Sequence, residues 1–241
     1  MSTDLPDGVQ RVLALLQERG HGHAPVMLDD AARTALQAAQ ALGVELGQIA
    51  KSIIFRRLAD EAAVLVITAG DQRVDQKKVE ALVGPLGRAD AAFVKARTGF
   101  SIGGVPPLAH ATPSITLIDE TLLRFDTVWA AAGHPHSVFQ LHPQDLLALT
   151  GAPLADVVEA PLAPVSRGIL KQLAARAATV QGQQDDIPSP CISVCRMDPT
   201  TDWCSGCFRS IDEIRVWSTS DAAARRNIWA KIAQRIAPRL A

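Results

Sequence analysis

The sequence predicts an α+β fold: a mixed β-sheet domain with flanking helices, followed by a small cysteine-rich helical domain. Three observations predict it. Candidate strands between residues 53 and 141 are joined mostly by loops, where a doubly wound sheet would place a regular helix after each strand. All four cysteines fall after residue 190, an asymmetry that marks a second module. The 241 residues are 48% hydrophobic, enough for one good core or for one domain plus an appendage.

The elements follow in order. Residues 7–19 place Val9, Val12, Leu13, Leu15 and Leu16 near helical spacing and stop at Gly20. His21-Gly22-His23 reads as a surface turn. Asp29 or Asp30 is placed to cap a second helix, residues 31–42, stopped by Gly43. Ile53, Ile54 and Phe55 form a buried strand and residues 62–68 a second, with 58–61 as the hairpin loop. A polar turn at 70–75 leads into a helix over 76–82. Residues 89–94 read as a short strand, 114–118 as another, and Asp119-Glu120 starts a helical turn. Residues 127–132 and 137–141 are strands on either side of Gly133-His134-Pro135-His136. Pro143 opens a closing helix over 143–149. The first domain thus spans 1–158, a linker with an exposed helix at 165–180 spans 159–187, and the cysteine module spans 188–241.

The formal net charge of −1 gives no global basic field of the kind that attracts nucleic acid. No apolar run is long enough to span a bilayer, and residues 1–10 lack a charged-then-apolar signal pattern. A cytoplasmic protein with no membrane partner is expected.

The stretch TGFSIGGVPPLAH, residues 98–110, concentrates conformational punctuation. Gly103 and Gly104 allow a ligand close to the backbone, and Pro106 and Pro107 stiffen the exit. The prolines have no N–H, so any donors here come from Gly103, Gly104 or Val105. The same string also suits an ordinary tight turn. Lys51, just before the apolar strand, is either a solvated strand end or a compact cation for a phosphate, carboxylate or developing oxyanion. His134 follows a strand, where loops project site residues outwards. Neither a Ser/His/Asp elbow nor a phosphate loop is present.

Cys191-x3-Cys195-x8-Cys204-x2-Cys207 gives four thiolates in two close pairs, which suit a tetrahedral zinc ion or an iron–sulfur cluster. Disulfides are the alternative, disfavoured in a cytosolic chain. After Ser205, seven basic residues (Arg209, Arg215, Arg225, Arg226, Lys231, Arg235, Arg239) stand against three acidic ones. They form either a solvated helix face or a grip on a nucleic-acid backbone.

Taken together, Gly43-Val44, Ile49-Ala50-Lys51-Ser52, Asp75-Gln76-Lys77-Lys78-Val79, residues 98–107 and Ala132-Gly133-His134, in that order, resemble the YbaK/prolyl-tRNA synthetase editing-domain family over about residues 5–158. The resemblance implies a free-standing deacylase that hydrolyses amino acids wrongly attached to tRNA, chiefly tRNA for proline. It implies aminoacyl-tRNA and prolyl-tRNA synthetase as partners, and no cofactor for the editing chemistry. Lys51 matches the family lysine near the tRNA 3′ end and the ester. Gly103 to Pro107 match the family's GxxxP loop, with Gly103, Gly104 and Val105 as backbone donors. Ser101, Ile102, Pro106, Pro107, Gly133 and His134 fall at substrate-binding positions. His134 stands where the bacterial YbaK type has lysine. That departure argues against a cysteinyl-tRNA substrate and towards a small residue such as alanine or 2-aminobutyrate. Residues 188–235 resemble a small family described as a predicted iron–sulfur protein, which implies no activity. Two further readings remain: a non-catalytic tRNA- or protein-binding adaptor that retains the pocket, and a metal or redox sensor led by the cysteines.

Overall fold

A computed structural model describes residues 5–28, 34–160, 165–193, 196–198 and 201–240. They divide into two compact units, Met1–Ala160 and Pro161–Ala241.

Among the described residues, the first unit has one mixed eight-stranded sheet: β1 (Val26–Met27), β2 (Ile49–Arg57), β3 (Ala63–Ala69), β4 (Leu86–Arg88), β5 (Ile115–Asp119), β6 (Val128–Ala131), β7 (Ser137–Leu141) and β8 (Leu154–Ala155). The order is β1-β7-β6-β2-β3-β5-β8, with β4 also on β2. β3 is buried along its whole length. Leu65, Ile67 and Ala69 enter the main core on one face, and Val64 and Val66 enter a second core on the other. A strand covered on both faces must be apolar nearly throughout, as this one is. Its one polar residue, Thr68, donates to the buried Asp119 carboxylate at 2.8 Å.

β2 pairs with β3 along residues 50–56. On its other edge it meets β6 only at Ile49 and Ala50, and β4 only at Phe55, Arg56 and Arg57. Residues 51–54 therefore have no strand neighbour on that edge among the described residues. The gap lies where β6 stops, and it positions the candidate site.

Among the described residues, five α-helices flank the sheet: α1 (Asp7–Glu18), α2 (Ala35–Leu42), α3 (Gln76–Val83), α4 (Ala91–Thr98) and α5 (Pro143–Thr150). α1 buries Val9, Val12 and Leu16, and Pro143 takes the first turn of α5. α2 begins at Ala35, where the Thr34 side chain accepts from the Gln37 N–H and the Gln37 side chain accepts from the Thr34 N–H. The expected caps Asp29 and Asp30, and the helix start at Ala31, lie outside the described residues. The strand expected at 89–94 is a helix instead. Asp90 accepts the Phe93 N–H at 2.8 Å, and that cap commits Ala91 onwards to α4. Strand pairing passes to β4 just before it. Lys51 lies within β2, not ahead of it.

The second unit contains α6 (Arg167–Gln181), α7 (Ile211–Val216) and α8 (Ala222–Leu240). Leu170, Leu173, Ala177 and Val180 of α6 form one stripe, packed in a common core with Ile228, Trp229, Ile232 and Ile236 of α8. The helix read as an exposed part of a linker is thus half of this unit's core. The Trp229 indole donates to the Pro188 carbonyl at 2.8 Å. No helix among the described residues is long and apolar enough to cross a membrane.

Candidate functional site

A cavity of about 280 Å³ opens at the gap beside β2. β2 supplies Lys51 and Ser52, the loop after α4 supplies Ile102, Gly103 and Val105, and the β6–β7 region supplies Ala131, Pro135 and Ser137. Ala35 and Ala38 of α2 close one side. Side chains alternate along a strand. Ala50 and Ile54 join the core that contains Val105, while Ile49 and Ile53 belong to clusters on the opposite face. Ser52 therefore projects with the first set and Lys51 with the second. Both residues line the cavity, which opens where β6 leaves the edge of β2 uncovered beyond Ala50.

The glycine–proline loop is held from both sides. Gly99 ends α4 in the left-handed conformation, φ +78°. The Gly104 N–H donates to the Ser101 carbonyl at 3.0 Å. Behind Gly104 runs the backbone of His134 and Pro135, close enough that a Cβ there would lie 2.6 Å from the His134 carbonyl carbon. Val105, Pro106 and Pro107 are buried. His110 Nε2–H donates to the Pro106 carbonyl at 2.7 Å, which leaves Nδ1 to accept from the Ser114 hydroxyl at 2.8 Å. Burial holds the His110 pKa below its ordinary value, and Arg11 adds to that against the Pro106 hydrogen bond. Gly133, φ +92°, packs directly on the Gly8 backbone, which seats α1 against the β6–β7 turn.

Lys51 is half-buried, and its ammonium donates to the Gln72 carbonyl at 2.7 Å. Burial lowers its pKa. Asp71 opposes that shift, Arg73 reinforces it, and Asp119 opposes it. Asp71 is itself engaged by Arg124 at 2.6 Å.

The cavity thus gathers four of the sequence-predicted site residues: Lys51, Ile102, Gly103 and Val105. Ile102 is 59% exposed, at its rim. Gly104 belongs to the back wall and its N–H is spent on Ser101, so of the three expected donors only Gly103 and Val105 keep an N–H without a partner among the described residues. The carbonyl of the exposed Ser101 closes that turn. Pro106 and Pro107 stiffen the loop from behind and do not line the cavity. Gly133 and His134 also sit behind it. The His134 Nδ1 accepts the His136 N–H at 3.2 Å, and Pro135 takes the lining position instead. Ser52, Ser137 and the α2 alanines line the cavity with no signal in the sequence pattern that singles them out.

In the second unit, Cys204 and Cys207 are buried together, and their thiols share a hydrogen bond. Burial raises the Cys204 pKa, but the N–H groups of Cys207 and Gly206, the Cys207 thiol and the Arg196 N–H outweigh it and draw the pKa down. Arg209 Nε lies 3.4 Å from Cys207 Sγ. Cys191 is exposed, and Cys195 lies outside the described residues. Among the described residues, no group of three or more His, Cys, Asp or Glu side chains gathers. The basic residues expected as a free face are largely occupied within the unit. Arg225 donates to the Trp217 carbonyl, Arg226 to those of Gln183 and Gln184, and Arg235 to that of Phe208 and to Glu213.

A family model described as aminoacyl-tRNA editing domain matches residues 29–149, and one described as a protein of unknown function (DUF1289) matches residues 189–236. The uncharacterized protein YwhH of Bacillus subtilis (strain 168) is 39% identical over 114 residues, which are 47% of this chain and 72% of YwhH. A crystal structure described as a candidate trans-editing enzyme for prolyl tRNA synthetase is 45% identical, with a TM-score of 0.62, and covers 65% of this chain and 100% of its own. The hypothetical protein APE2540 is 31% identical, with a TM-score of 0.58, over 62% of this chain and 99% of its own.

Proposed function

This chain belongs to the family of aminoacyl-tRNA editing domains, and from that premise we propose that it is a trans-editing hydrolase: it deacylates mischarged aminoacyl-tRNA, namely tRNA for proline carrying a small non-cognate amino acid. The observation that carries this reading is one cavity of about 280 Å³ lined by a half-buried lysine and by two residues of a clamped loop, Gly103 and Val105, whose backbone N–H groups have no partner among the described residues. That volume lies just below the usual range for ligand sites, about 300 to 1,000 Å³. Alanines 35, 38 and 131 in its wall suit a small side chain.

The chemistry asks little of the protein. An aminoacyl ester is already activated, so the site holds it, places a water and stabilises the tetrahedral oxyanion. The water oxygen bonds to the ester carbonyl carbon, the bond to the ribose oxygen breaks, and the proton shed by the water passes to that oxygen. Gly103 and Val105 N–H serve as oxyanion donors, and Lys51 anchors the anionic RNA end. The partners are then aminoacyl-tRNA and, through the shared tRNA, prolyl-tRNA synthetase. The test is release of amino acid from tRNA for proline charged with alanine, 2-aminobutyrate or proline. Rapid release of the first two with proline spared supports the reading, and no release of any above the uncatalysed rate overturns it.

For the second unit, we infer that Cys191, Cys195, Cys204 and Cys207 hold zinc or an iron–sulfur cluster. Cys204 and Cys207 are soft donors that already share a turn, which fits such a group. When bound, it supplies a covalent staple for a small unit. Metal analysis and visible absorbance of anaerobically prepared protein test this, and a metal-free, folded second unit refutes it.

A further inference from the structure

The Lys51 ammonium is tied to a loop that the reaction just described leaves out. Its bond to the Gln72 carbonyl, 2.7 Å, sets residues 70–75 against the cation of the cavity. The loop is fixed on its other side. Val74 bridges to Val158 and packs on the second core, the Asp75 N–H donates to the Val157 carbonyl at 2.9 Å, and the Glu159 N–H donates to the Arg73 carbonyl at 2.8 Å. Extended backbone sends successive side chains to opposite sides, so the packing of Val74 turns Arg73 outwards. Arg73 is exposed, and its guanidinium has no hydrogen bond or ion pair among the described residues. It is still near enough to Lys51 to lower the lysine's pKa.

The acidic groups nearby are engaged. Asp71 is held by Arg124 at 2.6 Å, and Asp75 accepts the Lys77 and Lys78 N–H groups as the cap of α3. The buried Asp119 accepts from the Thr68 and Thr121 hydroxyls and from the Thr121 N–H. Beside the cavity stand three cations, Lys51, Arg73 and Arg124, against two carboxylates, Asp71 and Asp119. Like charges held together on a fixed frame repel, and an anion between them relieves the repulsion. The whole chain carries a formal charge of −1, so its attraction for a polyanion has to be local.

We propose that Arg73 is a phosphate-binding residue: it holds the phosphodiester that joins the last nucleotide of the tRNA to its predecessor, while the ester on that last nucleotide lies in the cavity at Lys51. This rests on the hydrolase reading above and adds to it the path of the RNA strand, which passes the loop before α3. Arginine suits the position. Its N–H groups form a planar fork that matches two phosphate oxygens, and it stays charged at every working pH.

The test is a cycle of two changes. The full chain and Arg73→Gln are each given alanine-charged tRNA for proline whose terminal phosphodiester is native or replaced by a neutral methylphosphonate. Single-turnover deacylation, titrated with enzyme, separates the maximal rate from the half-saturating concentration. Either change alone is expected to raise the half-saturating concentration about fivefold at low salt, the upper scale of an exposed ion pair. Both together are expected to raise it no further, with the maximal rate and the thermal midpoint unchanged. Arg73→Lys, which keeps the charge, is expected to recover part of the loss. Arg88→Gln is the control: Arg88 is also exposed, but it pairs with Phe55 towards the far end of β2, and wild-type behaviour is expected. Wild-type affinity in Arg73→Gln overturns the proposal, as do losses that multiply in the double change or an equal loss in Arg88→Gln. The same cycle read as binding of the uncharged RNAs is independent of turnover. Coupling there without hydrolysis by the wild type overturns the hydrolase reading and leaves the phosphate subsite standing; absence of coupling there overturns the subsite.

Discussion

The wall behind Gly104 makes a quantitative prediction. In Gly104→Ala the new Cβ would stand 2.6 Å from the His134 carbonyl carbon, 2.8 Å from His134 Cα and 2.8 Å from the Pro135 nitrogen. All three are backbone atoms, so no rotamer change relieves the contact. Opening 2.6 Å to an ordinary 3.4 Å requires a shift of about 0.8 Å between the loop and the β6–β7 turn. The loop cannot give freely, because Gly104 N–H is tied to Ser101 and Pro106 to His110. Overpacking of this kind costs about 1–3 kcal/mol. The shift falls between Gly103 and Val105, whose N–H groups are the proposed oxyanion donors, and a misplacement of about 1 Å at a reacting centre costs roughly 10²-fold. Urea unfolding and single-turnover deacylation of alanine-charged tRNA for proline measure the two effects. Gly151→Ala is the control: φ is +65° and nothing lies within 4 Å of its Cβ, so it takes only backbone strain of about 1–2 kcal/mol and keeps turnover. A Gly104→Ala protein with both stability and turnover of the wild type refutes the reasoning.

Other consequences follow from the same contacts. His110 has a pKa held below its ordinary 6.5 by burial, so the unfolded chain takes up the proton first as pH falls; the stability this ring contributes is present above about pH 6.5 and is lost on acidification. Thermal midpoints of the first unit between pH 7.5 and about pH 5 are expected to fall more steeply in the wild type than in His110→Gln, and parallel curves contradict this. Glu213, 8% exposed, binds Arg235 through two contacts of 2.6 and 3.0 Å. Burial alone would raise its pKa, and Arg235, the Ser210 N–H and Lys231 bring it below the ordinary value, so its contribution is present above the carboxylate range and is lost as pH falls through the folded pKa. Glu213→Gln is expected to destabilise the second unit by about 1.5–3 kcal/mol at neutral pH, read by tryptophan fluorescence during urea unfolding in a Trp129→Phe background, which leaves tryptophans only in the second unit, with the deficit shrinking in acid.

Much of the first unit is legible because its elements end on strong punctuation. α1 stops before Gly20, the β2–β3 hairpin turns at residues 58–61, and α5 starts on Pro143. α4 was less legible: Ala-Ala-Phe-Val is a short apolar run that periodicity alone cannot assign, and the deciding signal was the Asp90 cap. β1, β4 and β8 have two or three residues each and carry no period at all. The α6 stripe was visible as a pattern, but its partner α8 lies some fifty residues on, so only the folded chain reveals a core where a linker was expected. The C-terminal arginines look like a charge run in one dimension, whereas in three Arg225, Arg226 and Arg235 each cap carbonyls. In the site, glycine and proline announce the loop. Which N–H groups stay free is set by a turn bond that spacing does not encode. Ser52 and Ser137 reach the cavity wall through strand pairing between distant segments, which no single sequence displays.

The account's central claim is that the cavity at the β2 gap hydrolyses an aminoacyl ester with Lys51 as its cation. The most direct measurement is single-turnover deacylation of alanine-charged tRNA for proline by the wild type and by Lys51→Ala, with thermal unfolding recorded on the same samples. The account predicts that Lys51→Ala unfolds at close to the wild-type temperature and, at subsaturating enzyme, loses single-turnover rate by roughly 10²-fold, the scale of truncating one partner of a desolvated charge pair. Equal turnover in the two proteins would contradict it.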